Sequence, residues 1–403
     1  MKQKNAIGAI VLVAALGYFV DIYDLILFSI VRIKSLKAIG IADSELLTQG
    51  VYLLNMQMAG MLLGGILWGI LGDKKGRLSV LFGSIFLYSA ANIANAFVAS
   101  VPVYAALRFI AGIGLAGELG AGITLVSEVM PKETRGYGTM IVATIGILGA
   151  VVAALVGDIF DWRVAYLVGG GLGILLLFLR LGVFESGLFN EIKSKNVRRG
   201  SFFTLFRSKE TAVKYLCCIL MGAPIWFVIG ILITFSPEFG RALDMAVVPD
   251  PGKAVMFAYL GLALGDFVSG SLAQFLKSRK KIAKCFIVLT GIFIATYLMN
   301  KGAGVDIFYA NCLALGFSVG YWAVFVTIAS EQFGTNIRST VTTTVPNFVR
   351  GSLIPLTFTF QKLKPAFDVI GSAAIVGAAT LVVAFVSISL LHETHGKDLN
   401  YAE

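Results

Sequence analysis

Charge is scarce in this chain: Asp, Glu, Lys and Arg make up 14% of its 403 residues, against 57% for the apolar set AVILMFWYC. A soluble globular domain carries about 25% charged and about 45–50% apolar residues, so a soluble enzyme is excluded, and so is a disordered tail. Histidine is scarcer still. The only two, His392 and His395, stand near the C-terminus, so a proton relay inside an apolar interior would have to run on carboxylates. Four cysteines, with Cys217 and Cys218 adjacent, make neither a disulfide framework nor a metal-ligand set. No metal and no cofactor is expected. No Walker-type loop is present, and the length leaves no room for a nucleotide-binding domain, which excludes a primary pump.

What the chain does have is uninterrupted apolar runs of about 20 residues, the length of α-helix that crosses a hydrocarbon core roughly 30 Å thick. A β-barrel has no use for such runs. Twelve spans are predicted, at 6–31, 50–71, 78–98, 103–127, 137–157, 164–184, 213–236, 254–276, 282–300, 305–329, 340–361 and 367–391. The expected fold class is therefore an all-α polytopic membrane protein with twelve transmembrane helices. An even number puts both termini on one side. With Lys2 and Lys4 inside, 22 of the 33 Lys and Arg fall on inside segments or inner span ends, among them Lys74, Lys75, Arg77, the 193–214 stretch and Lys277–Lys284. That asymmetry orients the protein with cytoplasmic termini, and it explains the net charge of +10 without nucleic acid. The first span is long and ends in no small-residue cleavage site, so no cleavable signal peptide is expected.

The chain also repeats itself weakly. Ser127-Glu128 followed by Arg135 recurs as Ser330-Glu331 followed by Arg338, and Gly65–Lys75 resembles Gly270–Lys280. Both offsets are about half the chain length, as in transporters built from parallel repeats. The expected organisation is an N-terminal six-helix half (1–184), a basic linker (185–212) and a C-terminal six-helix half (213–403). Gly69-Ile-Leu-Gly-Asp73-Lys-Lys-Gly76-Arg77 resembles the loop 2–3 signature of the major facilitator superfamily, with Leu78 where a second basic residue is usual. Glu128-Val-Met-Pro131-Lys-Glu-Thr-Arg135-Gly136 resembles the motif after helix 4 in its sugar-porter and metabolite:proton symporter branches. Trp162-Arg163, Glu185-Ser186 and Glu393-Thr-His-Gly396-Lys397 are similar to further signatures of those branches. The resemblance covers the whole chain and implies the major facilitator fold and alternating access.

Six ionisable residues lie deep in the spans: Asp21, Asp24, Arg108, Glu118, Asp266 and Arg350. Each charge at the bilayer centre costs about 2.5–3.5 kcal/mol, so unrelieved they would cost on the order of 15 kcal/mol. They must face a polar cavity, pair, or be protonated. Asp21 and Asp24 are three residues apart and share a helix face. By resemblance to proton-linked sugar porters, Ile22-Tyr23-Asp24 supplies the proton acceptor and Arg108 its partner; a static salt bridge is the plainer alternative. Glu118, about 80° round the helix from Arg108, is expected either to bind substrate or a second proton, or to bond a neighbouring helix. The GxGxxG match Gly112-Ile-Gly114-Leu-Ala-Gly117 lies inside an apolar span, so it reads as close helix packing, as at Gly60/Gly64, Gly65/Gly69 and Gly316/Gly320.

Asp73, Arg77, Glu128 and Arg135 fall at inner helix ends, where they can bond a neighbouring helix's terminus. By resemblance they gate the inner side, with Glu331 and Arg338 as second-half counterparts. The basic cluster Arg279, Lys280 and Lys281 reads as topology-setting charge. Tyr23, Gln57, Trp226, Asn311, Tyr321, Trp322 and Asn347 are the candidate substrate contacts, joined by Arg350, whose guanidinium suits a carboxylate or phosphate. Embedded acids outnumber bases, which would suit a cation instead, so the sign of the substrate stays open.

The expected function is secondary active transport of a small polar organic metabolite across a bacterial inner membrane by proton symport. Antiport export of drugs or organic ions and facilitative uniport use the same parts. The short segment after residue 391 disfavours a transport-dead sensor. The expected partners are the substrate, protons and the lipid bilayer, with no nucleic acid, and the expected state is a monomer.

Overall fold

In hydrocarbon every backbone N–H and C=O must be satisfied within its own segment, which leaves the helix as the open choice for runs like these. The computed structural model describes residues 2–75, 77–120, 135–185, 202–334 and 337–396, with Gly122, Val126 and Met130 between them. All secondary structure among the described residues is helical. In chain order the helices are α1 (Lys2–Ala38), α2 (Leu46–Lys75), α3 (Arg77–Asn95), α4 (Val101–Gly120), α5 (Arg135–Ile159), α6 (Trp162–Glu185), α7 (Lys209–Ile233), α8 (Pro251–Phe275), α9 (Arg279–Leu298) and α10 (Val305–Glu331). The 51-residue stretch Thr340–Leu390 is two spans. It bends at Asp368, whose φ of 56° and ψ of −168° are non-helical, giving α11 (338–367) and α12 (369–390). The Asp368 side chain accepts from the Gly371 amide at 2.9 Å and so starts α12. With α3 the shortest apolar member, twelve spanning helices stand among the described residues.

The helices form two pseudo-symmetric halves of six. In the first, α2 packs on α4, and α3 on both α4 and α6. In the second, the equivalents recur as α8 on α10, and α9 on both α10 and α12. Between the halves the main seams are α2 against α11 and α5 against α8, which one two-fold axis interchanges. Glycine sets these approaches where backbones touch. A Cβ at Gly60 or Gly64 would strike the Phe109 or Ile113 carbonyl of α4, and one at Gly316 would strike the Ala258 carbonyl of α8. Gly65 instead faces Asn347, and Gly69 faces Thr344, so that pair lies on the seam between halves. Gly60→Leu, which meets backbone rather than a mobile side chain, should destabilise by about 1–3 kcal/mol or more. Thermal unfolding in detergent checks this, with Gly171→Leu, at an open position, as the control that should change little.

Besides α11, which has a turn at Ser352, three helices are interrupted. α4 loosens at Ala116–Gly117, α10 breaks at Gly320–Tyr321, and α7 passes through a break at Met221–Gly222 and a π-turn at Val228–Ile233 before a short extension, Ser236–Ala242. Breaks of this kind are tolerated at membrane depth only where protein or a cavity meets the freed backbone groups. Here each break meets the polar residues described next.

Candidate functional site

The centre of the bundle holds one ion pair that crosses between the halves. Asp21 on α1 and Arg350 on α11, 0% and 1% exposed, stand 3.5 Å apart. The contact is loose. Neither Asp21 oxygen accepts a hydrogen bond among the described residues, and Arg350 Nε is likewise unbonded. Arg350 also donates to Asn347 Oδ1 at 3.4 Å and lies over the Trp322 ring, 5.7 Å from its centroid. The Trp322 indole N–H is buried with no acceptor among the described residues. Tyr18, one turn before Asp21, lies beside both Asp21 and Arg350. α1 from one half and α10 and α11 from the other thus build a compact site of one acid, one guanidinium and adjacent aromatic faces.

Further bonds close the bundle on both sides of this level. At the end that carries Arg32, its Nη2 donates to both Glu238 carboxylate oxygens at 2.8 Å and its Nη1 to the Leu46 carbonyl. Its guanidinium packs on the Phe235 ring. Thr234 bonds Ser29 at 3.1 Å and Thr357 bonds Asn55 at 3.0 Å, all across the halves. On the other side Asn347 Nδ2 donates to the Ala116 carbonyl at the α4 break, at 2.8 Å, and Gly120 lies against Thr343. The described state is therefore closed around the Asp21–Arg350 level. Glu238→Gln leaves Arg32 buried and under-paired, so it should open the Arg32 end. A cysteine at Ser29 should then react with a membrane-impermeant maleimide several-fold faster than in the unaltered background; unchanged labelling would rule out the lock.

The other expected residues divide clearly. The expected Asp24–Arg108 ion pair is not formed. Arg108 bonds Gln57 Oε1 and lies 4.7 Å from the centre of the Phe28 ring, while both Asp24 oxygens are unpartnered among the described residues. The reason is rotational: Asp24 faces α3 and the Gly169 surface of α6, whereas Arg108 faces α2. Glu118 pairs with Arg180 of α6, whose Nη1 donates at 3.1 Å, in a pocket that Gly17 of α1 leaves open. Asp266 caps the second segment of α10 through the Ala323 amide at 3.1 Å, with Oδ2 left free of partners among the described residues. Tyr23 is tied to the Ala165 carbonyl and Tyr321 to that of Met221, each at 3.0 Å, so both hydroxyls serve helix packing. Asn311 bonds Thr296 and the Ile307 carbonyl on the half-buried flank between α9 and α10, away from the centre. Trp226 is buried in α7.

At the opposite end Arg279 pairs with Glu331, so the basic cluster does more than set topology. Glu393 accepts from Ser278 Oγ at 2.5 Å and from the Arg279 and Lys280 amides, capping α9. Burial alone would raise its carboxyl, but the bonds from Ser278, His395, Arg279 and Thr394 outweigh it and hold it below the usual glutamate range. The gating candidate Glu128 and the side chains of Asp73, Arg77, Arg135 and Arg338 lie outside the described residues. Reading the sequence missed two residues of weight. Neither Arg180 nor Arg32 is singled out there, and both are buried partners in the structure.

Two helical halves meeting at a buried, loosely paired charge define an integral membrane transporter rather than an enzyme. Residues 12–355 match the Major Facilitator Superfamily, and the chain belongs to that family. It is 26% identical over 360 residues to the niacin transporter NiaP of Acinetobacter baylyi, covering 81% of this chain and 80% of that protein. It is 25% identical over 319 residues to the 3-(3-hydroxy-phenyl)propionate transporter of Escherichia coli, covering 76% and 77%. The sialic acid transporter NanX of Escherichia coli is 25% identical over 282 residues, covering 65% and 68%. The fold matches the structure of the proton:xylose symporter XylE with a TM-score of 0.73, at 17% identity and 98% coverage of each chain.

Proposed function

We propose that this protein is a proton symporter for a small organic acid, binding the substrate carboxylate at Arg350. The observation that carries the reading is the Asp21–Arg350 pair, which joins the halves through one 3.5 Å contact and leaves donors unused on Arg350 and Trp322. A carboxylate fits a guanidinium fork bidentately, so the substrate anion competes with Asp21 for the same cation. A carboxylate left without its counter-ion in an apolar interior binds a proton rather than staying charged. Substrate and proton are thereby taken up together, and the neutralised site lets the halves rearrange. The relatives named for niacin, sialic acid and 3-(3-hydroxy-phenyl)propionate support an acid as the substrate, and the aromatic faces beside Arg350 suit a planar ring.

The clustering of Lys and Arg supports placing the Arg279 end in the cytoplasm and the Arg32 end outside, in a bacterial inner membrane. Thermal shift of the purified protein against aromatic acids, aliphatic acids, sugars and organic cations tests the substrate class. A ligand at 100 times its Kd adds about 2.7 kcal/mol. Stabilisation by acids alone is expected; stabilisation by sugars or cations alone would replace this reading.

A further inference from the structure

Among the described residues Asp24 is the one buried acid of the first half without a basic partner, since Asp21 has Arg350 and Glu118 has Arg180. It is 0% exposed, and both of its oxygens lack a hydrogen bond among the described residues. A bare buried carboxylate is not sustainable and must take up either a proton or a cation. Arg108, the nearest candidate, forms no ion pair with it and is turned to Gln57 and Phe28.

The neighbouring face of α3 offers a different kind of compensation. Tyr88, Asn92 and Asn95 recur at helical spacing, with Ser89 between them, and their side-chain oxygens are all buried and unpartnered among the described residues. Asn92 lies next to Asp24. α6 closes the space with glycines: a Cβ at Gly169 would collide with Asp24 Oδ1, and one at Gly173 with Ser89 Oγ. Glycines on successive turns of α6 therefore let the Asp24 and Ser89 oxygens of α1 and α3 approach that helix about one turn apart.

We propose that Asp24, Ser89 and Asn92, with Tyr88 beside them, form a Na⁺ site within the N-terminal half. One carboxylate with neutral hydroxyl and amide oxygens balances a single positive charge, whereas divalent sites gather several carboxylates. Oxygen donors at mid-membrane depth are the ligands that hold Na⁺ in other transporter architectures. The assignment divides labour on α1: the ion neutralises Asp24, and Asp21 is left to exchange between Arg350 and a proton. It stands independently of what Arg350 binds.

The test uses the purified full chain in detergent, with NaCl titrated against choline chloride at constant ionic strength. The thermal midpoint should rise saturably with Na⁺ and not with K⁺. The rise should vanish in Asn92→Ala and Asp24→Asn and persist in Arg350→Gln. Should those variants fail to fold, binding of ²²Na⁺ to the unaltered protein decides, with one ion per chain expected. No Na⁺-specific shift together with no bound ²²Na⁺ overturns the proposal, as does an undiminished shift in Asn92→Ala. Stabilisation reproduced by lowering pH, with Na⁺ adding nothing, would show a protonated Asp24 instead. None of those failures touches the carboxylate reading, which falls only if acids fail to bind.

Discussion

Arg350→Gln should cut uptake of organic acids about a hundredfold. Truncating one partner of a buried, hydrogen-bonded charge pair costs about 2–5 kcal/mol, and 1.4 kcal/mol is tenfold in affinity. A loss near 3 kcal/mol lowers kcat/KM for uptake roughly a hundredfold. Arg350→Lys should recover little, because an ammonium cannot present the planar fork. The companion change, Asp21→Asn, separates binding from coupling. It removes the group that would take the proton while leaving Arg350 free, so carboxylate binding and counterflow exchange should persist or tighten. Proton-driven accumulation in proteoliposomes should disappear. Full accumulation in Asp21→Asn would move coupling to another acid, Asp24, Glu118 and Asp266 being the other acids buried deep in the spans among the described residues.

The second large effect is on stability. Glu118 and Arg180 are each 1% exposed and bonded at the heart of the first half. Replacing either alone, as in Glu118→Gln, leaves an uncompensated buried charge and should cost about 3–5 kcal/mol. The double variant Glu118→Leu/Arg180→Met, apolar and similar in volume, should recover most of that loss. Unfolding in SDS, run as a double-mutant cycle, checks both statements. A transport assay on the double variant then decides what the sequence left open: retained accumulation makes Glu118 a structural partner, and lost accumulation with restored stability returns it to the coupling machinery.

Much of this was legible before any coordinate. Spans of about 20 apolar residues have few other uses, and the half-chain repeat anticipates the paired seams of the two halves. The deep acids and arginines were found because charge inside hydrocarbon is costly enough to mark itself. Their pairing was not legible. Helical periodicity gives the angle of a side chain on its own helix but not which neighbour stands opposite. Asp24 and Arg108 were therefore joined by resemblance, while the structure turns one to α3 and α6 and the other to α2. Arg180 escaped because a cation near a span end ordinarily marks topology, and only the gap left by Gly17 shows that this one bends inward. Asn311 shows the converse, since a polar residue in a span can satisfy itself on a peripheral flank.

Asn347 carries a consequence of its own. Its amide donates at once to the Thr343 carbonyl of its own helix and to the Ala116 carbonyl at the irregular turn of α4. The second bond exists only while the halves touch. Parting the halves on that side would take this donor from the Ala116 carbonyl, at a penalty of about 1 kcal/mol or more where water does not replace it. The irregularity in α4 is therefore expected to act as a return spring, biasing the empty carrier toward closure on that side through a single amide.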